Sequence, residues 1–524
     1  VIELGAGTLT CEQISAIARD GEIVALAPSV SSRLAQSHRA VLLLAEQGPV
    51  YGRSTGVGAL LTARLLTGPT DPSAPTAGDV PSSAVTHPPG SGSRADTTVH
   101  GDGLLRSHAT TAGPALPAEQ IRAMTAVRVE QIAVGRSGLG PATAAALVDL
   151  LNEDRMPTIG RFNSLGTGDV APLARLALTL PTEALDPGDG LALMSSNALT
   201  IGRAALAVVD LDRLLAAATV VTALTFLARD GAAGALHALA AGPFPGPRRV
   251  ARTLRRLGAG SRRPARLQDQ YGLRAAPQTL GIAVDAAATL REVVTALAGA
   301  GLENPLVIAG PQASVVHHGG FHAVHLTAAL DDAALGLARA AVGSVNRLAL
   351  LTEPPPTAAP GSAHGLATDP VPQDEARAFL AGGPATASGI MVLEYTAAAA
   401  LGTVRAAAIP AATQTAGLSR GIEQDATYAP LAADQLADAM AAMRVLVAVE
   451  LVAATRALRL RELSVPEPLS QVWRICARLP AEMNDRDLTG DVHDAEALLA
   501  EIAPFGASAG HDTKDASDDE DGLL

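Results

Sequence analysis

Lysine is nearly missing from this chain of 524 residues: Lys514, inside an acidic stretch near the end, is the only one among 39 Lys and Arg residues. A P-loop needs its Gly-Lys-Ser/Thr, a protein kinase its strand lysine and a pyridoxal enzyme its Schiff-base lysine, each on an ordered element. All three are excluded. Cysteine is as scarce: Cys11 and Cys476 are too few and too far apart for a disulfide framework or a zinc module, which fits a reducing compartment. Aromatic residues make up 2%, so each of the four tyrosines carries weight. A net charge of −13 and the lack of a long basic run argue against a nucleic-acid partner, since phosphate neutralisation needs a basic face. The arginines of Arg248–Arg266 come nearest and read as a solvated helix and loop. The most apolar run, Leu214 to Ala228, is too short for a bilayer core of about 30 Å and reads as a buried helix. No signal-peptide pattern precedes Thr10, so a cytoplasmic protein without a membrane segment is expected.

Hydrophobic residues reach 48% and charged residues only 17%, enough for a large buried core. Thr10-Cys11-Glu12-Gln13 reads as a capping box opening a helix that Gly21 closes. Leu436, Met440, Met443, Val447 and Leu451 recur three or four residues apart within Leu431–Leu463 and predict one apolar helical stripe. Similar patterns cover Leu199–Ala228, Leu280–Ala300 and Leu326–Leu351, while strand-like alternation is short and scattered. The expected fold is all-α, with long helices packed side by side. Three regions are expected along the chain: 1–195, 196–505 carrying the long helices, and a solvated acidic tail over 506–524. Residues 68–103, rich in Pro, Ser, Thr, Gly and Asp, read as a long loop or insertion.

Gly506-Ala507-Ser508-Ala509-Gly510, followed by His511, matches a serine-hydrolase elbow as a string but lacks the strand and helix an elbow requires. His317, His318, His322 and His325 could converge on a metal, yet no carboxylate or cysteine accompanies them at a recognised spacing, so backbone partners are expected and no metal is assigned. Asn163 to Leu173 sets two glycines around a hydroxyl residue just before an apolar helical run with Pro172 in its first turn. Taken alone, it is a glycine-rich turn capped by Asp169.

It has companions. Tyr51-Gly52-Arg53-Ser54-Thr55-Gly56-Val57-Gly58, Ser107-His108-Ala109, Gln268-Asp269-Gln270-Tyr271-Gly272-Leu273-Arg274 with Pro277-Gln278, Asn304-Pro305-Leu306, Phe321-His322 and Ser419 through Glu423 together resemble the histidine and aromatic amino-acid ammonia-lyase family in order and spacing. The resemblance implies the long-helix bundle of the ammonia-lyase (fumarase/aspartase-like) type, with a smaller N-terminal site-bearing region. It also implies a homotetramer whose sites draw on three subunits, and a carbon–nitrogen lyase activity. Members close an internal Ala-Ser-Gly into a methylidene-imidazolone; by position the tripeptide here is Gly166-Thr167-Gly168, and dehydrated threonine would give an ethylidene variant, with no external cofactor. By the same resemblance Tyr51 is the base that removes the β-proton, Tyr271 assists the electrophile and Arg274 grips the substrate carboxylate as a planar fork. Gln268, Ser195 and Phe321 line the substrate. His108 with Glu423 resembles the histidine-specific branch, since both can hydrogen-bond an imidazole. The family's Asn-Gly-Thr is Ser195-Ser196-Asn197 here, and its aspartate before Asn-Pro is Glu303. Three functions remain open: a lyase acting on histidine or a related aromatic amino acid, a 2,3-aminomutase, and a relative whose Gly166-Thr167-Gly168 stays open.

Overall fold

The computed structural model describes residues 1–63, 94–186, 188–353, 378–384 and 386–507. Helices dominate, as the apolar periodicity predicts; among the described residues the strands form three two-stranded sheets, of which Ile2–Leu4 with Val24–Leu26 is parallel and the other two antiparallel. The chain divides into two compact units. Val1–Leu206, Glu292–Thr327 and Ala411–Ala433 form the first; Ala207–Arg291, Ala328–Pro410 and Asp434–Leu524 form the second.

In the first unit the predicted capping box is present: Thr10 Oγ1 accepts from the Gln13 amide while the Gln13 side chain accepts from the Thr10 amide. A π-helical turn follows before Gly21 ends the helix in the left-handed region. The centre of this unit is the helix Ala118–Ala133, buried along nearly all of its length despite carrying Arg122, Arg128, Glu130 and Gln131. Burial of so many polar groups is tolerable because each is partnered. Arg122 donates to the carbonyls of Ile17 and Leu151, and Glu130 accepts from the Gly5 amide at 2.7 Å. Burial pushes the Glu130 carboxyl above the usual carboxylate range.

The loop predicted over 68–103 needs correcting at its end, because the helix Arg94–His108 begins inside it; the rest of that segment up to 93 lies outside the described residues. Packing overrides the weak local propensity here. Gly101, Leu104 and Leu105 are buried, and the helix lies against Val170–Ala177 and Gly190–Met194.

In the second unit the Leu436, Met440, Met443, Val447 and Leu451 stripe is buried along the helix Ala429–Leu460. Each such side chain contributes about 1.5–3 kcal/mol by leaving water. Leu214–Ala228 is likewise a buried stretch of the helix Ala198–Ala228. Val324–Thr352 and Met391–Thr413 are long and apolar enough, by length and composition, to cross a bilayer. The first is mostly buried and carries Arg347, which meets Glu450 through two hydrogen bonds of 2.6 and 2.9 Å. The helix Thr489–Gly506 ends on the first glycine of the elbow-like string; Ser508, His511 and the acidic tail lie outside the described residues.

Candidate active site

Tyr51 opens a tight turn that follows Val50, a residue buried with Val41 and Val307. The Arg53 and Ser54 amides both donate to the Val50 carbonyl, and the Gly52 amide donates to Thr55 Oγ1. Gly52 has φ +72°, and a Cβ there would overlap the Leu191 side chain, so both backbone and space demand glycine. The turn brings the Tyr51 phenol back onto its own loop, where the oxygen accepts from the Gly58 amide at 2.7 Å. The next amide, Ala59, donates to Ser419 Oγ at 2.8 Å. Ser419 and its neighbour Arg420 sit at φ +50° and +55°, a conformation that costs a non-glycine residue about 1–2 kcal/mol and is held here by that contact. Below the loop, both terminal nitrogens of Arg53 donate to Asp189 Oδ1 at 2.9 and 2.8 Å. Burial pushes the Asp189 carboxyl up to about 6, against the opposing pull of Arg53. His317 meets the Tyr51 ring edge-on at 6.4 Å.

Gly166-Thr167-Gly168 forms a turn just before the helix Val170–Ala177. Its glycines have φ +88° and +120°. Ser164 Oγ accepts from the Gly166 amide at 3.0 Å and donates to the Gly168 carbonyl at 3.1 Å, joining the two ends of the tripeptide. From far along the sequence, Thr427 Oγ1 donates to the Gly166 carbonyl at 3.1 Å and the Tyr428 amide to the Leu165 carbonyl at 2.8 Å. Asp169 occupies the N-cap position, yet its side chain makes no capping bond, which corrects the sequence reading. Its carboxylate instead accepts from the amide and hydroxyl of Thr200, tying the turn to the start of Ala198–Ala228, and burial raises its pKa.

Ser195 and Phe321 line one pocket with Arg128, Gln131, Asn197 and Glu303. Ser195 Oγ accepts from the Asn304 amide, and the Phe321 carbonyl accepts from the Asn197 amide group. Arg128 and Glu303 form a fully buried ion pair at 2.7 Å behind it. His108 ends its helix with Nδ1 against the Leu104 carbonyl at 2.8 Å and Ser107 Oγ at 3.0 Å. Glu423 is half-buried, in backbone pairing with Leu418. Both ring nitrogens of His318 are engaged by backbone groups, the Glu303 carbonyl and the Gly320 amide. His38, Asp186 and Asp189 also converge, but there His38 binds Gly138 and Asp186 while Arg53 takes Asp189.

The remaining predicted residues belong to the second unit and form a group of their own. The Arg274 guanidinium lies 4.3 Å from the centre of the Tyr271 ring, a cation–π contact. With its side-chain amide flipped, the Gln268 oxygen accepts from one terminal nitrogen of Arg274 at 3.3 Å. The Tyr271 side chain is 69% exposed. Sequence reasoning missed Asp189, Thr427 and Ser164, none of which carries a local signal beyond its residue type.

This helical architecture is that of the ammonia-lyases and aminomutases. The ergothionase of Treponema denticola matches it with a TM-score of 0.81 at 19% identity, covering 96% of this chain and 99% of that one. The tyrosine aminomutase of Streptomyces globisporus matches with 0.79 at 22% identity, covering 96% and 97%. In sequence the chain is 29% identical to the histidine ammonia-lyase of Streptomyces coelicolor over 95% of its own length and 96% of the relative's. Residues 9–184 and 180–477 match the aromatic amino acid lyase family, to which the chain therefore belongs. It is a carbon–nitrogen lyase of the amino-acid ammonia-lyase type.

Proposed function

We propose that the chain eliminates ammonia from L-histidine, or a related aromatic amino acid, to give an α,β-unsaturated acid such as urocanate. The observation that carries this reading is the Gly166-Thr167-Gly168 turn, whose two ends are joined through Ser164 at the start of a helix. These residues fit a self-derived imidazolone. Both glycines have the backbone freedom that closure demands, and around Gly168 the nearest atom to an added Cβ, Val170 Cγ2, stands 3.4 Å away. When formed, the group supplies an electrophilic carbon for the substrate amine, in the ethylidene form that Thr167 dictates.

Tyr51 takes the β-proton, its oxygen held in place by the Gly58 amide. Arg274 grips the carboxylate, with Gln268 beside the guanidinium and Tyr271 beneath it. Ser195 and Phe321 wall the substrate, while His108 Nε2 and Glu423 meet the imidazole. The similarity to the histidine ammonia-lyase of Streptomyces coelicolor supports histidine. A homotetramer brings the groups of different copies together, supported by the exposure of Tyr271, Leu267 and Tyr395. Neither metal nor nucleic acid takes part, and the enzyme works in the cytoplasm, away from membranes.

Intact-mass spectrometry tests the reading, since closure removes two waters, about 36 Da. An unmodified mass would leave an open, noncatalytic relative. Product analysis then separates the lyase, which releases ammonia and an unsaturated acid, from an aminomutase, which yields a β-amino acid. Sedimentation as a monomer at active concentration would overturn the tetramer.

A further inference from the structure

We propose that Thr427 is a catalytic residue of the closure reaction itself: its hydroxyl stabilises the negative charge that appears on the Gly166 oxygen when the Gly168 nitrogen attacks. The proposal rests on the reading that the tripeptide closes. In that step a bond forms between the Gly168 nitrogen and the Gly166 carbonyl carbon, and the C=O electron pair moves onto oxygen. That oxygen leaves as water with the amide protons of Gly168 and Thr167. The Thr167 hydroxyl and α-proton leave as the second water. No oxidant or reductant is needed.

A backbone carbonyl is a poor electrophile, so the first addition needs a donor at the oxygen where charge develops. Thr427 Oγ1 stands 3.1 Å from that oxygen and is its donor. The side chain is 4% exposed, so water does not weaken the interaction. It is also fixed in advance. The Thr427 carbonyl accepts from Thr327 Oγ1 at 2.9 Å, the next amide, Tyr428, donates to Leu165, and Oγ1 itself accepts weakly from the Ala429 amide at 3.4 Å. With a lone pair so engaged, the hydroxyl proton is turned toward Gly166.

A second observation is steric. A Cβ added to Gly166 would overlap Thr427 Oγ1, so the hydroxyl can approach the carbonyl only because residue 166 is glycine. Positions 166 and 427 are therefore matched, with room given up at one and a donor placed at the other.

The test follows closure in the full chain by intact mass at intervals after cell-free synthesis, with circular dichroism timing the return of native helix. Thr427→Ser should close like the parent. Thr427→Val, isosteric but without a donor, should fold yet lose the two waters on the order of 10²-fold more slowly, as for other oxyanion donors. Should Thr427→Val fail to fold, Thr427→Cys keeps the size with only a weak S–H donor and should also close measurably more slowly. Parent-like closure in either folded variant, or a Thr427→Ser as slow as valine, would overturn the role of Thr427 while leaving the function in place. An unmodified parent would overturn both.

Discussion

Replacing Glu303 by Leu is the sharpest test of how the wall behind Ser195 is held. Arg128 and Glu303 are 0% and 1% exposed and meet at 2.7 Å. Removing one partner of such a pair leaves a charge buried without compensation, which costs about 3–5 kcal/mol. Arg128 keeps the carbonyls of Leu193 and Ala192 and the Gln131 oxygen, so the lower end applies. At roughly 2 °C per kcal/mol for a unit of about 250 residues, the melting temperature should fall by about 6 °C. The double variant Arg128→Met/Glu303→Leu should recover most of that loss, because an apolar pair of similar volume avoids the desolvation cost altogether. Calorimetry on the parent, both single variants and the double at neutral pH gives the cycle directly. A Glu303→Leu melt within about 1 °C of the parent would refute the argument, as would a double variant less stable than the single.

Other substitutions separate the proposed roles. Tyr51→Phe should leave substrate affinity nearly intact while turnover falls by about 10²-fold or more, the usual scale for a positioned base; full turnover would remove Tyr51 from that role. Arg274→Lys keeps the charge but loses the planar grip and the stacking on Tyr271, so kcat/KM should fall by at least about tenfold, and parent-like kinetics would refute the fork. Asp189 gives a pH signature. Its native pKa of about 6 lies above the unfolded value of 3.8, so its contribution to stability is fully present below pH 3.8 and is lost as pH rises through about 6. Activity should run the other way, because only ionised Asp189 holds Arg53 as a salt bridge. The expected profile has an acid limb near pH 6 without loss of melting temperature from this group. The same limb persisting in Asp189→Asn would assign it elsewhere.

The long helices were legible because burial imposes a periodicity that sequence displays: Leu436 to Leu451 lie on one buried stripe, and Thr10 to Gln13 cap their helix as their spacing predicts. Less legible were elements whose stability comes from distant partners. The helix Ala118–Ala133 is buried through charged residues that find carbonyls and carboxylates elsewhere, so its sequence has no clean apolar face. Arg94–His108 begins inside a stretch of loop-like composition because neighbouring helices cover Leu104 and Leu105. Motif residues such as Tyr51 and Arg274 stand out by type and glycine context. Thr427 does not, since a threonine beside Tyr428 carries no mark until the fold sets it against Gly166. Asp169 shows the converse, a cap by position whose carboxylate serves Thr200.

The first unit is completed by Ala411–Ala433, encoded long after most of it. Ser419 reaches back 360 residues to Ala59, and Thr427 reaches back 261 to Gly166. At a synthesis rate of about 5–20 residues per second, the ribosome needs roughly 20–70 s between making the tyrosine loop and making the serine that fastens it. For the later part of that interval, once residue 168 is made, the nascent chain carries every residue of the loop and the tripeptide without either hydroxyl that finishes them. A translation product halted before residue 411 would thus hold both motifs intact as sequence and neither as a completed structure.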